Sequence, residues 1–201
     1  IQELLSATAP IALSPVTLDR LIRYAELRLN AFQPNEALQA IRSIESASAT
    51  LENPLSSTDL ARIAFNRARV LTELASLDPA IAILEKIGES PYREEAKLLL
   101  ARIYIAQRHT DVAVSLLHEI AADPRSWRCA NDALSLLAVL EPLVGDSLQL
   151  FCDATMYELQ GRMESAIPPL RQLAVDYYGS GLEEWARYYI GKLKQRTGDT
   201  E

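Results

Sequence analysis

The feature that most constrains the fold of this chain is a repeated spacing between two alanines. Four pairs stand twelve residues apart, with one alanine near the middle of a helical pattern and the other near the start of the next: Ala25 and Ala37, Ala68 and Ala80, Ala101 and Ala113, and Ala154 and Ala166. Small side chains at those two points let antiparallel helices approach closely across a tight turn. The spacing therefore predicts four copies of one helical hairpin, the organisation of an α-helical repeat protein.

Helical periodicity and turn residues divide the chain into segments and predict an all-α fold of about nine to ten helices. The segments are a lead-in at 1–17, hairpins at 18–51, 59–88, 92–123 and 146–178, an extra helix at 125–141, and a capping helix at 182–196. Pro15 suits a first helical position after Ser14. Pro168 and Pro169 are tolerated if the last helix of the fourth hairpin begins near Ala166, because both then lie in its first turn.

Composition excludes several classes of protein. The hydrophobic fraction of 49% is ample for a core, and the net charge of −7 comes without a basic stripe, so we expect no nucleic-acid partner. No run reaches the ~18–20 apolar residues that a membrane span needs.

The chain begins without Met, and we expect it to be a fragment or a processed product. Cys129 and Cys152 are expected to be free thiols, because a turn near Gly145 would leave them ~12 Å apart along the helix axis.

The residue types that commonly carry catalysis or bind metals do not cluster in this sequence. His109 and His118 are isolated, and the acidic pairs Glu94–Glu95 and Glu183–Glu184 suit the positive ends of helix dipoles. No zinc-ligand spacing, glycine-rich phosphate loop or nucleophile elbow is present. We therefore expect neither an enzyme nor a cofactor nor a metal site.

Two stretches resemble tetratricopeptide repeats. LLLARIYIAQRHTDVAVSLLHEIAADP matches that pattern from the Leu100–Ala101 pair through Tyr104 and Ala113 to Pro124. Residues 153–199 are similar to bacterial envelope members of the family, of the outer-membrane assembly lipoprotein and Tol-Pal coordinator types. The matching features are Tyr177–Tyr178, the break at 179–181, Ala186 and Ile190–Gly191. The resemblance implies a right-handed α–α superhelix over a single domain, 18–198, and favours a bacterial periplasm or cell envelope.

The resemblance also implies a concave groove lined by the first helix of each hairpin. The candidate groove residues are Arg62, Phe65, Asn66, Arg69, Leu98, Arg102, Ile105, Phe151, Glu158, Trp185 and Tyr188. In this interpretation Arg62, Arg69 and Arg102 hold a carboxylate by bidentate hydrogen bonds, while Phe65 and Leu98 receive apolar anchors.

Other interpretations of these residues stay open. The arginines also suit helix-surface ion pairs with Phe65 in the core, and Trp185, Tyr188 and Tyr189 also suit packing of the last helix. The function expected is a non-catalytic scaffold that binds a peptide or partner helix in the groove. The alternatives are a regulatory solenoid that senses a small molecule near Phe65, Arg69 and Arg102, and a structural module that self-associates through its end helices.

Overall fold

The computed structural model describes residues 14–48 and 55–198. Within those ranges the chain forms ten α-helices and no strand, which confirms the all-α prediction. Most of the predicted lead-in, residues 1–13, and the predicted end of the first hairpin, residues 49–51, lie outside the described residues. The chain divides into two compact units, residues 1–96 and residues 97–201. The single domain and its superhelical course stay predictions.

The first unit contains two helical hairpins. Its helices are α1 (Pro15–Asn30), α2 (Pro34–Ser48), α3 (Ser57–Glu73) and α4 (Leu77–Leu84). The hydroxyl of Ser14 accepts a hydrogen bond from the backbone N–H of Thr17 at 3.1 Å, so α1 starts where Ser14–Pro15 predicts. α4 ends at Leu84, four residues before the predicted end of the second hairpin at residue 88.

The second unit contains the remaining helices. They are α5 (Arg93–Ala106), which begins in the first unit, α6 (Thr110–Ala122), α7 (Trp127–Leu140), α8 (Gly145–Leu159), α9 (Met163–Asp176) and α10 (Gly181–Thr197), with a 3₁₀ turn at Pro124–Ser126 before α7. Cys129 and Cys152 are both buried, and no disulfide joins them, as predicted.

All eight alanines of the repeated spacing are buried. Their exposed fractions are 0% except for Ala154, at 4%. Each therefore lies at a point of close helix packing, where a larger side chain would have no room.

The four hairpins share one turn geometry. The first residue after the helix C-cap has a left-handed backbone in each: Phe32, Ala75, Arg108 and Gly161, with φ of 56°, 58°, 65° and 70°. The next residue donates its N–H to the carbonyl five residues back, at 2.8 Å in the first three hairpins and 2.9 Å in the fourth. This bond closes a Schellman motif, in which glycine is the usual left-handed residue. Three of the four hairpins keep the motif without glycine.

The start predicted for α9, near Ala166, is wrong. The helix begins at Met163, and Pro168 and Pro169 lie inside it. Arg162 already accepts N–H bonds from Ser165 and Ala166, so the first turn is closed before the prolines. Pro168 and the residue four before it, Glu164, are exposed, so water can bond the carbonyl that Pro168 leaves without a donor.

Candidate functional site

Five of the candidate groove residues line one cavity in the second unit. The cavity has a volume of about 430 Å³ and lies among α5, α7, α8 and α10. It is lined by Leu98, Arg102, Asp132, Ser135, Leu136, Glu158, Trp185, Tyr188, Tyr189 and Lys192. We call it the Arg102 cavity.

Glu158 is the polar centre of this cavity. Its Oε2 accepts hydrogen bonds from Arg102 Nη2 and from the Tyr189 hydroxyl, both at 2.7 Å, and its Oε1 accepts one from Arg196 Nη1 at 3.1 Å. The side chain of Glu158 is only 9% exposed. One carboxylate therefore joins three side chains from two other helices, α5 and α10.

These contacts keep Glu158 ionised despite its burial. Burial raises the pKa of the carboxyl, but the charge of Arg102, the Tyr189 hydrogen bond and the charge of Arg196 lower that pKa below its ordinary value of 4.5. Burial lowers the pKa of Arg102, but Glu158 reverses the effect and holds it above the ordinary value. Burial also raises the pKa of the Tyr189 hydroxyl, which stays a donor to Glu158.

Aromatic rings form the apolar side of the cavity. The ring of Trp185 stacks on Tyr189 with centroids 5.0 Å apart, and it lies 5.7 Å from the ring of Phe151. Tyr188 is 67% exposed although it lines the cavity. Trp185 and Tyr189 therefore pack within the unit, while Tyr188 offers an open aromatic surface.

Two cations in the cavity keep hydrogen-bonding capacity. Arg102 donates to Glu158 through Nη2, and within the described residues no contact engages its Nε or Nη1, while 26% of its side chain is exposed. The ammonium of Lys192 lies 5.8 Å from the ring centroids of both Tyr188 and Tyr189. It has no carboxylate partner among the described side chains. The cavity can therefore accept an anionic group beside an apolar one.

The other two candidate arginines, Arg62 and Arg69, lie in the first unit, where acidic side chains already engage Arg62. Its Nε and Nη2 donate to the two carboxylate oxygens of Glu26, both at 3.1 Å, and its Nη1 donates to Asp19 at 3.0 Å. Asn66, 3% exposed, also donates to Glu26 at 3.2 Å. The ion-pair interpretation thus describes Arg62, and its guanidinium fork is not open to a ligand carboxylate.

Two neighbours of Arg62 are less enclosed. Phe65 is half-buried and stacks on Tyr92 with centroids 5.7 Å apart. Arg69 is also half-buried and makes long hydrogen bonds of 3.4 Å to the side-chain oxygens of Asn66 and Asn30. Neither residue lines the Arg102 cavity.

Three of the candidate groove residues are interior rather than surface residues. Asn66 and Phe151 are each 3% exposed, and Ile105 is fully buried. The expectation that Ile105 faces outward fails because α5 buries more than one face: Ile103, two residues earlier, is also fully buried. A period of 3.6 residues cannot separate core from groove on a helix that is buried on several sides.

Sequence reasoning missed Lys192 and the residues that α7 contributes. A signal for Lys192 existed, because it follows Tyr188 by four residues and Trp185 by seven, so all three share one face of α10. No such signal existed for the α7 residues Asp132, Ser135 and Leu136. The helix α7 is the extra helix, and it has no counterpart in the repeated hairpins.

Metal ligands, membrane spans and related proteins give no further indication of function for the described residues. Among residues 14–48 and 55–198, no group of three or more His, Cys, Asp or Glu side chains could hold a metal ion. Of the helices described, none combines the length and the apolar character that crossing a membrane requires. The chain matches no protein-family model, no curated protein and no solved structure.

Proposed function

We propose that this chain is a non-catalytic interaction module that binds a peptide segment or partner helix of another protein in the Arg102 cavity. The observation that carries the proposal is the convergence of Leu98, Arg102, Glu158, Trp185 and Tyr188 on this single concave site. These residues were selected from the sequence as ligand-facing, and they come from three helices that are far apart in the chain.

The composition of the cavity supports binding. A volume of about 430 Å³ falls in the range of ligand sites, about 300–1,000 Å³, and an apolar wall with a few placed polar groups is typical of them. Tyrosine and arginine are also the residues that most often dominate the energy of protein interfaces. Tyr188 and Arg102 supply both here.

The repeated hairpin turn supports a tetratricopeptide-like organisation as part of the proposal. Hairpins of this kind present extended concave surfaces for partners. Since Arg62 is held by Glu26 and Asp19, we assign binding to the second unit. The proposal also includes a place for this chain in a bacterial envelope-associated assembly. That part of the proposal is supported by the sequence resemblance alone.

Selection from a displayed library of random peptides tests this function. The selected peptides are synthesised, and their Kd values are measured by calorimetry on the wild-type chain, Tyr188→Ala and Tyr178→Ala. Tyr178 is the matched control because it is 82% exposed and lies outside the cavity lining.

We expect Tyr188→Ala to weaken binding by about tenfold or more, and Tyr178→Ala to leave it within about twofold. A library that yields no binder, or binders that tolerate Tyr188→Ala, would contradict the proposed function.

A further inference from the structure

We infer that the partner of the Arg102 cavity is a peptide segment in which an acidic side chain adjoins an aromatic or large aliphatic one. This inference rests on the proposed function and specifies the chemistry of the partner.

The guanidinium of Arg102 is the first reason for an acidic partner. A guanidinium carries five N–H donors in a rigid fork that matches a carboxylate. Within the described contacts Glu158 engages only Nη2, so the N–H groups on Nε and Nη1 of Arg102, which lines the cavity, have no described acceptor. A second carboxylate can accept a charge-assisted hydrogen bond from one of these N–H groups.

Glu158 does not compete for the N–H groups on Nε and Nη1. Both of its oxygens already accept hydrogen bonds, from Arg102, Tyr189 and Arg196. Its position is therefore fixed, and its charge is balanced by the two arginines that it contacts.

The charge around the cavity also favours an anion. Arg102, Arg196 and Lys192 supply three positive charges at or beside the cavity, and Glu158 and Asp132 supply two negative ones. Of these cations, Lys192 has no carboxylate partner among the described side chains, although the net charge of the chain is −7. Of the two acids, Glu158 is neutralised by its own ion pairs, which leaves the exposed Asp132 as the opposing charge.

The apolar half of the partner follows from the aromatic side of the cavity. Tyr188 is 67% exposed, and Trp185 is fixed by stacking on Tyr189. The ammonium of Lys192 lies over the Tyr188 ring, 5.8 Å from its centroid. A carboxylate held by Lys192 therefore lies next to a surface on which an aromatic or aliphatic side chain can pack.

A set of defined peptides tests this chemistry. The probes are short, amidated, fluorescein-labelled peptides with identical Gly/Ser flanks and the central triplets Glu-Phe-Glu, Gln-Phe-Gln, Lys-Phe-Lys and Glu-Ala-Glu. Their Kd values are measured by fluorescence anisotropy on the full chain at about 50 mM and about 300 mM salt. We expect Glu-Phe-Glu to bind tightest, by about tenfold over each of the others, and to weaken at the higher salt.

Two charge reversals locate the binding. Lys192→Glu should weaken Glu-Phe-Glu by about tenfold or more, whereas Arg171→Glu should leave it within about twofold. Arg171 is the matched control because it is an exposed cation on α9 outside the cavity lining, and both variants change the net charge equally.

Each remaining outcome overturns the inference. If Gln-Phe-Gln or Lys-Phe-Lys binds as tightly as Glu-Phe-Glu and still depends on Tyr188, the acidic partner is wrong while the proposed function stands. If both charge reversals weaken binding equally, the attraction is non-specific. If none of the four probes binds, the inference fails, and peptides selected from the unbiased library then decide the proposed function separately.

Discussion

Nη2 of Arg102 lies 2.7 Å from Oε2 of Glu158, a residue 56 positions later in the chain. Both residues were expected to contact a ligand, but the carboxylate of Glu158 is fully engaged within the protein. Its structural role is to join α5 to α8 and, through Tyr189, to α10. The hydrogen bond to Glu158 also holds the guanidinium of Arg102 in place at the cavity.

Glu158→Gln should lower the free energy of unfolding by about 3 kcal/mol, because it removes the charge that balances two arginines at a largely buried site. Asp153→Asn is the control on the same helix. Its ion pair with Arg108 is about half exposed, at 47% and 54%, so its loss should cost at most about 1 kcal/mol. Chemical denaturation of the two variants measures the difference. Equal effects would show that the Glu158 contacts contribute no more than a surface pair.

The stability of the chain should fall at acid pH partly through Glu158. The pKa of its carboxyl in the folded chain lies below the ordinary value of 4.5. Its contribution is therefore present above pH 4.5 and is lost as the pH falls through the folded pKa. Denaturation between about pH 6 and pH 3 should show a shallower pH dependence for Glu158→Gln than for the wild type. The variant should keep part of the slope, because the pKa values of Asp19 and Glu183 are also lowered. Superimposable slopes would contradict this role for Glu158.

Ala75→Gly should stabilise the chain by about 0.5–1 kcal/mol. Ala75 has φ of 58°, a left-handed conformation that is unfavourable for a residue with a Cβ but not for glycine. The greater freedom of glycine in the unfolded chain offsets part of the gain. The reverse change in the fourth hairpin, Gly161→Ala, should destabilise by about 1 kcal/mol, because Gly161 has φ of 70°. Thermal denaturation checks both variants, and a destabilised Ala75→Gly would contradict the strained turn.

Ala80→Leu should destabilise the chain by about 1–3 kcal/mol, because Ala80 is fully buried and the added carbons have no space. Ala82→Leu is the matched control, since Ala82 is an exposed residue of the same helix, α4, and leucine is a good helix former. Equal free energies of unfolding for the two variants would show that the alanine spacing does not mark close packing.

The helices and their close contacts were predictable from the sequence because their signals are local. The alanine spacing identified eight buried positions, and Ser14 with Pro15 identified the start of α1. The left-handed turns were only partly predictable. Gly161 signals its turn, whereas the same geometry at Phe32 is imposed by the hairpin against the preference of the residue.

The composition of the site was less predictable because it depends on residues that are far apart in the chain. Arg62 has Glu26 as its partner, 36 residues earlier, and no local pattern connects the two. The same limit applies to Glu158, whose partners lie on helices at both ends of the second unit. Burial of Phe151 likewise follows from the packing of Trp185 against it. A sequence pattern therefore identified the helices that form the cavity more reliably than it identified which of their side chains stay open.

The most direct test of the binding cavity uses the fluorescence of Trp185. The chain has two tryptophans, and Trp127→Phe leaves Trp185 as the only indole. A tryptophan-free peptide selected for binding should change the Trp185 emission of this variant, with a saturation curve that gives the Kd measured by calorimetry. Two results together would contradict binding in the Arg102 cavity. The Trp185 emission would stay unchanged at saturating peptide, and the emission of Trp127 in a Trp185→Phe variant would change when peptide is added.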